Sequence, residues 1–229
     1  LREDHEMLRG LMLTAALIAG ATALGAKSLD GGETYDLLFR NGTLDAVPRD
    51  ATLTYRRDVS NALKPEAASR DSGTIALSIS EDDRPVAEID FRQGEQHRSL
   101  GTFPASVGNP MIMYFYESVV RDMAEAAGGS PFYIRNRVKE ALIQPSEVTE
   151  GEAQFEGRTI QTQTVRMMPF AGDPNVERMK GFGDLELKVT MAEDVPGWYM
   201  SLTALAPGAE GADPVYRSEI SFDAQEPGQ

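Results

Sequence analysis

Asn109-Pro-Met-Ile-Met-Tyr-Phe-Tyr-Glu-Ser-Val-Val-Arg-Asp-Met123 opens as a helix start and continues at a helical period. Asparagine followed by proline supplies an N-cap and then a first-turn residue with no N–H to satisfy. Ile112, Phe115, Tyr116, Val119 and Met123 recur at i, i+3, i+4, i+7 and i+11. Gly128-Gly129 stops the run, and Ser130-Pro131 starts a second helix with the stripe Ile134, Val138 and Leu142. Pro145 lies just past its end. The first helix is apolar round much of its circumference, so a flat one-sided contact cannot cover it; it needs a hollow.

On both sides of this pair the period changes to two. Upstream, Tyr35, Leu37 and Phe39 alternate and run into Asn41-Gly42, a hairpin signal. Leu53, Tyr55 and Arg57 continue the alternation, residues 59–72 read as a polar loop, and Ile75-Ile79 pairs with Pro85-Phe91 across an acidic turn. Downstream, Glu152-Phe155 and Arg158-Met167 flank Glu156-Gly157, and an irregular connection covers 169–183. Leu185-Met191, Trp198-Leu205 and Val215-Phe222 complete the set, and Ala224-Gln229 reads as a disordered tail. Consecutive hairpins without strand–helix–strand alternation imply an antiparallel sheet. The expected fold is α+β: a curved, half-barrel-like sheet of about nine strands with the two helices packed on its concave face. Residues 27–223 would form this single domain.

Residues 7–26 read as a secretory leader. Arg9 gives a positive start, Leu11 to Leu24 is apolar, and Ala21-Thr-Ala23 and Ala23-Leu-Gly25 offer cleavage sites. Residues 1–6 form an acidic upstream extension. The apolar run falls short of the roughly 20 residues needed to span a bilayer, so the mature chain is expected in the periplasm or outside the cell. There is no cysteine, so the core must hold by apolar burial without disulfides. A formal charge of −14 repels nucleic acids and anionic lipid surfaces.

The order of elements resembles the periplasmic carriers of lipoproteins and related half-barrel envelope proteins. The likeness sits in Glu193-Asp-Val-Pro-Gly197, Trp198-Leu205, the glycine loop after it and Val215-Phe222. It implies an apolar ligand held in the concave face and carries over no specific binding residue.

Chemistry is sparse. Outside the leader extension the only histidine is His97, in an apparent turn, with no Gly-x-Ser-x-Gly elbow to serve a catalytic triad. Glu81-Asp82-Asp83 lacks a calcium-loop pattern, Met167-Met168 lacks companions for copper, and no phosphate-binding glycine loop occurs. No cofactor or metal is expected. Two groups of residues remain. Met111, Met113, Phe115, Tyr116, Met123, Met191, Trp198 and Met200 are adaptable apolar side chains on elements that should line the hollow, where they could bind an apolar or lipid-like ligand or simply fill the core. Arg135, Arg137 and Lys139 reverse the sign of the charge locally and could meet an envelope protein partner; Arg135 and Lys139 share a helix face and Arg137 does not. The leading expectation is a non-enzymatic exported carrier. The alternatives are an envelope assembly or scaffold protein with a filled core, and a carboxylate-dependent hydrolase.

Overall fold

The computed structural model describes residues 23–80 and 83–227. Most of the expected leader and the Glu81-Asp82 pair lie outside the described residues.

Ten strands form one open antiparallel sheet: β1 (Ala23–Leu29), β2 (Ala51–Asn61), β3 (Gly73–Ile79), β4 (Val86–Gln93), β5 (Gln96–Pro104), β6 (Ser146–Phe155), β7 (Arg158–Met167), β8 (Glu186–Met191), β9 (Tyr199–Ala206) and β10 (Tyr216–Pro227). Their spatial order is β1-β6-β7-β8-β9-β10-β2-β3-β4-β5. Strands β2 to β5 and β6 to β10 are each a meander, β1 adds to the β6 edge, and the last strand joins the two by pairing β9 on one side and β2 on the other. The helices are α1 (Gly31–Leu38), α2 (Pro65–Asp71), α3 (Met111–Ala127) and α4 (Pro131–Leu142).

The expected pair, α3 and α4, lies on the concave face. Phe115, Val119 and Met123 of α3 share one core cluster with Leu77 and Ile89 of one half-sheet and Val165 and Val189 of the other. A flat sheet cannot bring strands so far apart onto one helix; the ribbon curves, aided by bulges such as those at Ile89/Asp90 and Phe222/Ala224. A second, smaller cluster of Ile160, Ala192 and Val195 takes in Met200 and Phe155.

Four local expectations are corrected. Tyr35-Phe39 belongs to α1 and its cap, not to a strand, because Asp30 and Glu33 form a reciprocal capping box: the Glu33 N–H donates to Asp30 at 2.8 Å and the Asp30 N–H to Glu33 at 3.1 Å. With the helix nucleated, Tyr35 and Phe39 stack one turn apart, their ring centroids separated by 4.6 Å. In the presumed loop, Pro65 takes the first turn of α2. Two of the ten strands, β1 and β5, lie outside the nine expected, which had included Tyr35-Phe39; β5 is an edge strand mostly open to water with little burial alternation, and His97 lies on it opposite Arg92 instead of in a turn. Of the expected tail, Ala224 to Pro227 pair with Thr54 to Ala51 of β2, which satisfies their backbone groups along the sheet. At the other edge, Ala23 and Gly25-Ala26, which the leader reading places before the cleavage point, pair with β6.

Helix α3 is also fixed by charge. Arg57, fully buried on the inner face of β2, donates to Asp122 of α3 at 2.8 Å and to the Tyr114 hydroxyl at 3.1 Å. The Tyr216 hydroxyl donates to the same Asp122 oxygen at 2.8 Å, and Arg121 covers the other oxygen at 2.8 Å. Arg121 reaches on to Asp71 at 3.6 Å, and Asp71 accepts from Arg70 at 2.8 Å. Burial alone would raise the Asp71 carboxyl, but the Arg70 hydrogen bonds and the charges of Arg121, Arg57 and Arg70 outweigh it and hold the group below its ordinary 3.8. A carboxyl depressed in the folded state stabilises above its unfolded value, and that stability goes as pH falls through the folded value. The melting temperature is therefore expected to drop on acidification below pH 3.8. Asp71→Asn should melt lower at pH 7 and lose less on the way down, as followed by circular dichroism across a pH series.

Candidate functional site

Helices α1, α3 and α4 meet around an apolar groove of about 330 Å³. Two helical faces form its walls. Met113, Tyr116, Glu117 and Val120 stand at i, i+3, i+4 and i+7 on α3; Arg135, Val138, Lys139 and Leu142 repeat that spacing on α4. Ile143 extends the second wall, and Tyr35 and Phe39 of α1 close the end. Met113, Tyr35 and Ile143 are large apolar side chains left open to solvent here, while Val120 and Val138 are buried and anchor the walls to the core. The volume lies at the small end of the range for ligand pockets.

Polar groups are few and lie where the walls carry charge. Arg135 grips Glu117 with two hydrogen bonds of 2.7 Å. That fork, with a smaller contribution from the charge of Lys139, holds the Glu117 carboxyl below its usual range. Lys139 is exposed and makes no ion pair among the described residues. The Tyr116 hydroxyl is buried without a hydrogen-bond partner, and burial pushes its pKa well above the usual tyrosine value.

The residues singled out in the sequence divide. Met113 and Tyr116 from the apolar group meet Arg135 and Lys139 from the basic group, all four in this groove. Met111, Phe115, Met123 and Met191 are packed into the main core between α3 and the sheet. Phe115 and Met191 are fully buried, and the face of α3 that meets the sheet is used up in packing. Met200 joins the smaller cluster instead. Trp198 is buried beside a different, polar cleft, donating to the Leu37 carbonyl at 3.3 Å with Arg40 stacked 4.5 Å from its ring. Arg137 points away from the groove, paired with Glu140 at 2.7 Å and Asp173 at 2.9 Å.

The sequence hides the contribution of α1, because Tyr35, Leu37 and Phe39 alternate as strand residues do. The capping box Asp30-x-x-Glu33 was the signal that could have found it. No helix among the described residues is long and apolar enough to cross a membrane. No protein-family model matches the chain, and no curated protein matches it in sequence. In overall structure the chain is similar to the lipoprotein LppX of Mycobacterium tuberculosis, with a TM-score of 0.34 and 9% identity, covering 86% of this chain and 98% of that one.

Proposed function

We propose that this chain is an exported, non-enzymatic binding protein that holds an apolar or lipid-like ligand in the groove between α1, α3 and α4. The observation that carries the reading is the pairing of two helical stripes around solvent-open apolar side chains, Met113, Tyr35 and Ile143. Apolar side chains left open around a concavity gain from being covered, at about 25 cal/mol per Å² removed from water. Methionine and aromatic walls re-pack around chains of different shape. The ligand settles on the outer side of α3, and the core between that helix and the sheet stays intact. Export rests on the leader in residues 7–26.

Titration with the neutral probe N-phenyl-1-naphthylamine tests this. Saturable binding is expected, and Met113→Asp should weaken it about tenfold by putting a carboxylate against the apolar part of the probe. Met113 is half exposed, so that variant should keep its fold. Native mass spectrometry after mild purification should show co-purified ligand; a clean mass with a stable hetero-complex would favour the scaffold alternative. Probe affinity unchanged in Met113→Asp would remove the groove from consideration.

A further inference from the structure

We infer that the preferred ligand is a single-chain amphiphile with an anionic head, a carboxylate of the fatty-acid type, its head seated at Lys139 and Arg135. This rests on the binding reading just given and specifies its ligand class. The rim of the groove carries two cations and one carboxylate, Glu117, a local excess of positive charge on a chain of formal charge −14. Charges farther away than a Debye length of about 8 Å are largely screened, so the head responds to the rim and not to the whole chain. Arg135 is already forked to Glu117. Lys139, one turn along the same face, has no ion-pair partner among the described residues, while the neighbouring Arg137 has two. An anion at Lys139 completes an alternating set of charges, Glu117–Arg135–anion–Lys139, without breaking the existing fork. Beyond Lys139 the wall turns apolar at Leu142 and Ile143 and meets the aromatic rings of α1. A head at Lys139 thus leaves the tail lying on apolar surface. The groove's modest volume admits one chain more readily than a multi-tailed lipid.

A lysine in the last turn of a helix also offsets the helix dipole. That role alone would affect stability without affecting ligand preference, so the test compares head groups. Wild type, Lys139→Gln and Lys139→Glu are titrated calorimetrically at pH 8 with dodecanoate, dodecan-1-ol and dodecyltrimethylammonium, at low and high salt. Wild type should bind dodecanoate about fivefold tighter than dodecanol, with the margin shrinking at high salt. Lys139→Gln should erase the margin, and Lys139→Glu should reverse the order of the two charged probes. Equal affinity of wild type for dodecanoate and dodecanol, or a margin that survives Lys139→Gln, overturns the head-group inference and leaves the groove reading standing. Failure of wild type to bind any of the three overturns both.

Discussion

Arg57→Met is expected to cost about 3–5 kcal/mol, lowering the melting temperature by roughly 6–20 °C. The methionine fits the volume of the arginine stem, so little of the loss comes from a cavity. It comes from Asp122, 5% exposed and held at 2.8 Å by Arg57, which is left buried without its partner on the sheet side. Arg121 still reaches it from the helix, which is why the loss stays within this range. A buried pair of this kind contributes little net stability as a pair, because removing two ions from water offsets their attraction; the damage comes from removing only one. Arg57→Met combined with Asp122→Leu should therefore recover more than half of the loss. Recovery will be incomplete, since the fully buried Tyr216 hydroxyl loses its acceptor. Adding Tyr216→Phe removes that donor and should bring the protein close to wild-type stability. Thermal melts of the single, double and triple variants decide the matter. A single variant melting within about 2 °C of wild type, or a double variant worse than the single, would show that the pair does not fix α3 on the sheet.

The same arginine shows how far the sequence could be read. Leu53, Tyr55 and Arg57 alternate onto one face of β2, so a charge in that row already called for a buried partner. Asp122 breaks the apolar stripe of α3 between Val119 and Met123, and it is that partner. Each anomaly was legible; their pairing was not, because 65 residues separate them and no local pattern encodes a contact at that range. The curved sheet and the two central helices were legible because their periods are strong and their ends are punctuated by proline and glycine. The site was half legible. Met113, Tyr116, Arg135 and Lys139 stand out in the sequence for separate reasons, but no local pattern says which apolar residues of α3 fill the core and which stay open, because α3 has two faces to cover. The face toward the sheet takes Met111, Phe115 and Met123 as core, and the side facing α4 keeps Met113 in the open. Which methionine packs and which stays open follows from where α1 and α4 come to rest, and α1 was hidden behind a three-residue alternation that its capping box overrides.

Gly31 and Gly32 provide a test of that placement in which one substitution has opposite effects at adjacent positions. A Cβ added at Gly31 would stand 2.0 Å from the Ile143 carbonyl oxygen and 2.7 Å from its carbon. Both atoms are backbone at the end of α4, so no side chain can swing aside, and α1 must move off. Gly31→Ala is expected to cost about 2–3 kcal/mol, at the upper end of what overpacking does. At Gly32 the added Cβ meets only the Asp30 carboxylate oxygen at 3.3 Å, and alanine restricts the unfolded chain. Gly32→Ala should therefore be neutral or stabilising by up to about 1 kcal/mol. The functional consequence follows from the same contact. Tyr35 and Phe39 close the groove only while α1 is seated against Ile143; once Gly31→Ala lifts the helix, the apolar end of the site opens to water. Binding of N-phenyl-1-naphthylamine should weaken in Gly31→Ala at temperatures where the protein is still folded, and stay at the wild-type level in Gly32→Ala. Equal melting temperatures for the two variants would deny the close approach of α1 to α4. Unequal melting with equal probe affinity would keep the packing and deny α1 any part in holding the ligand.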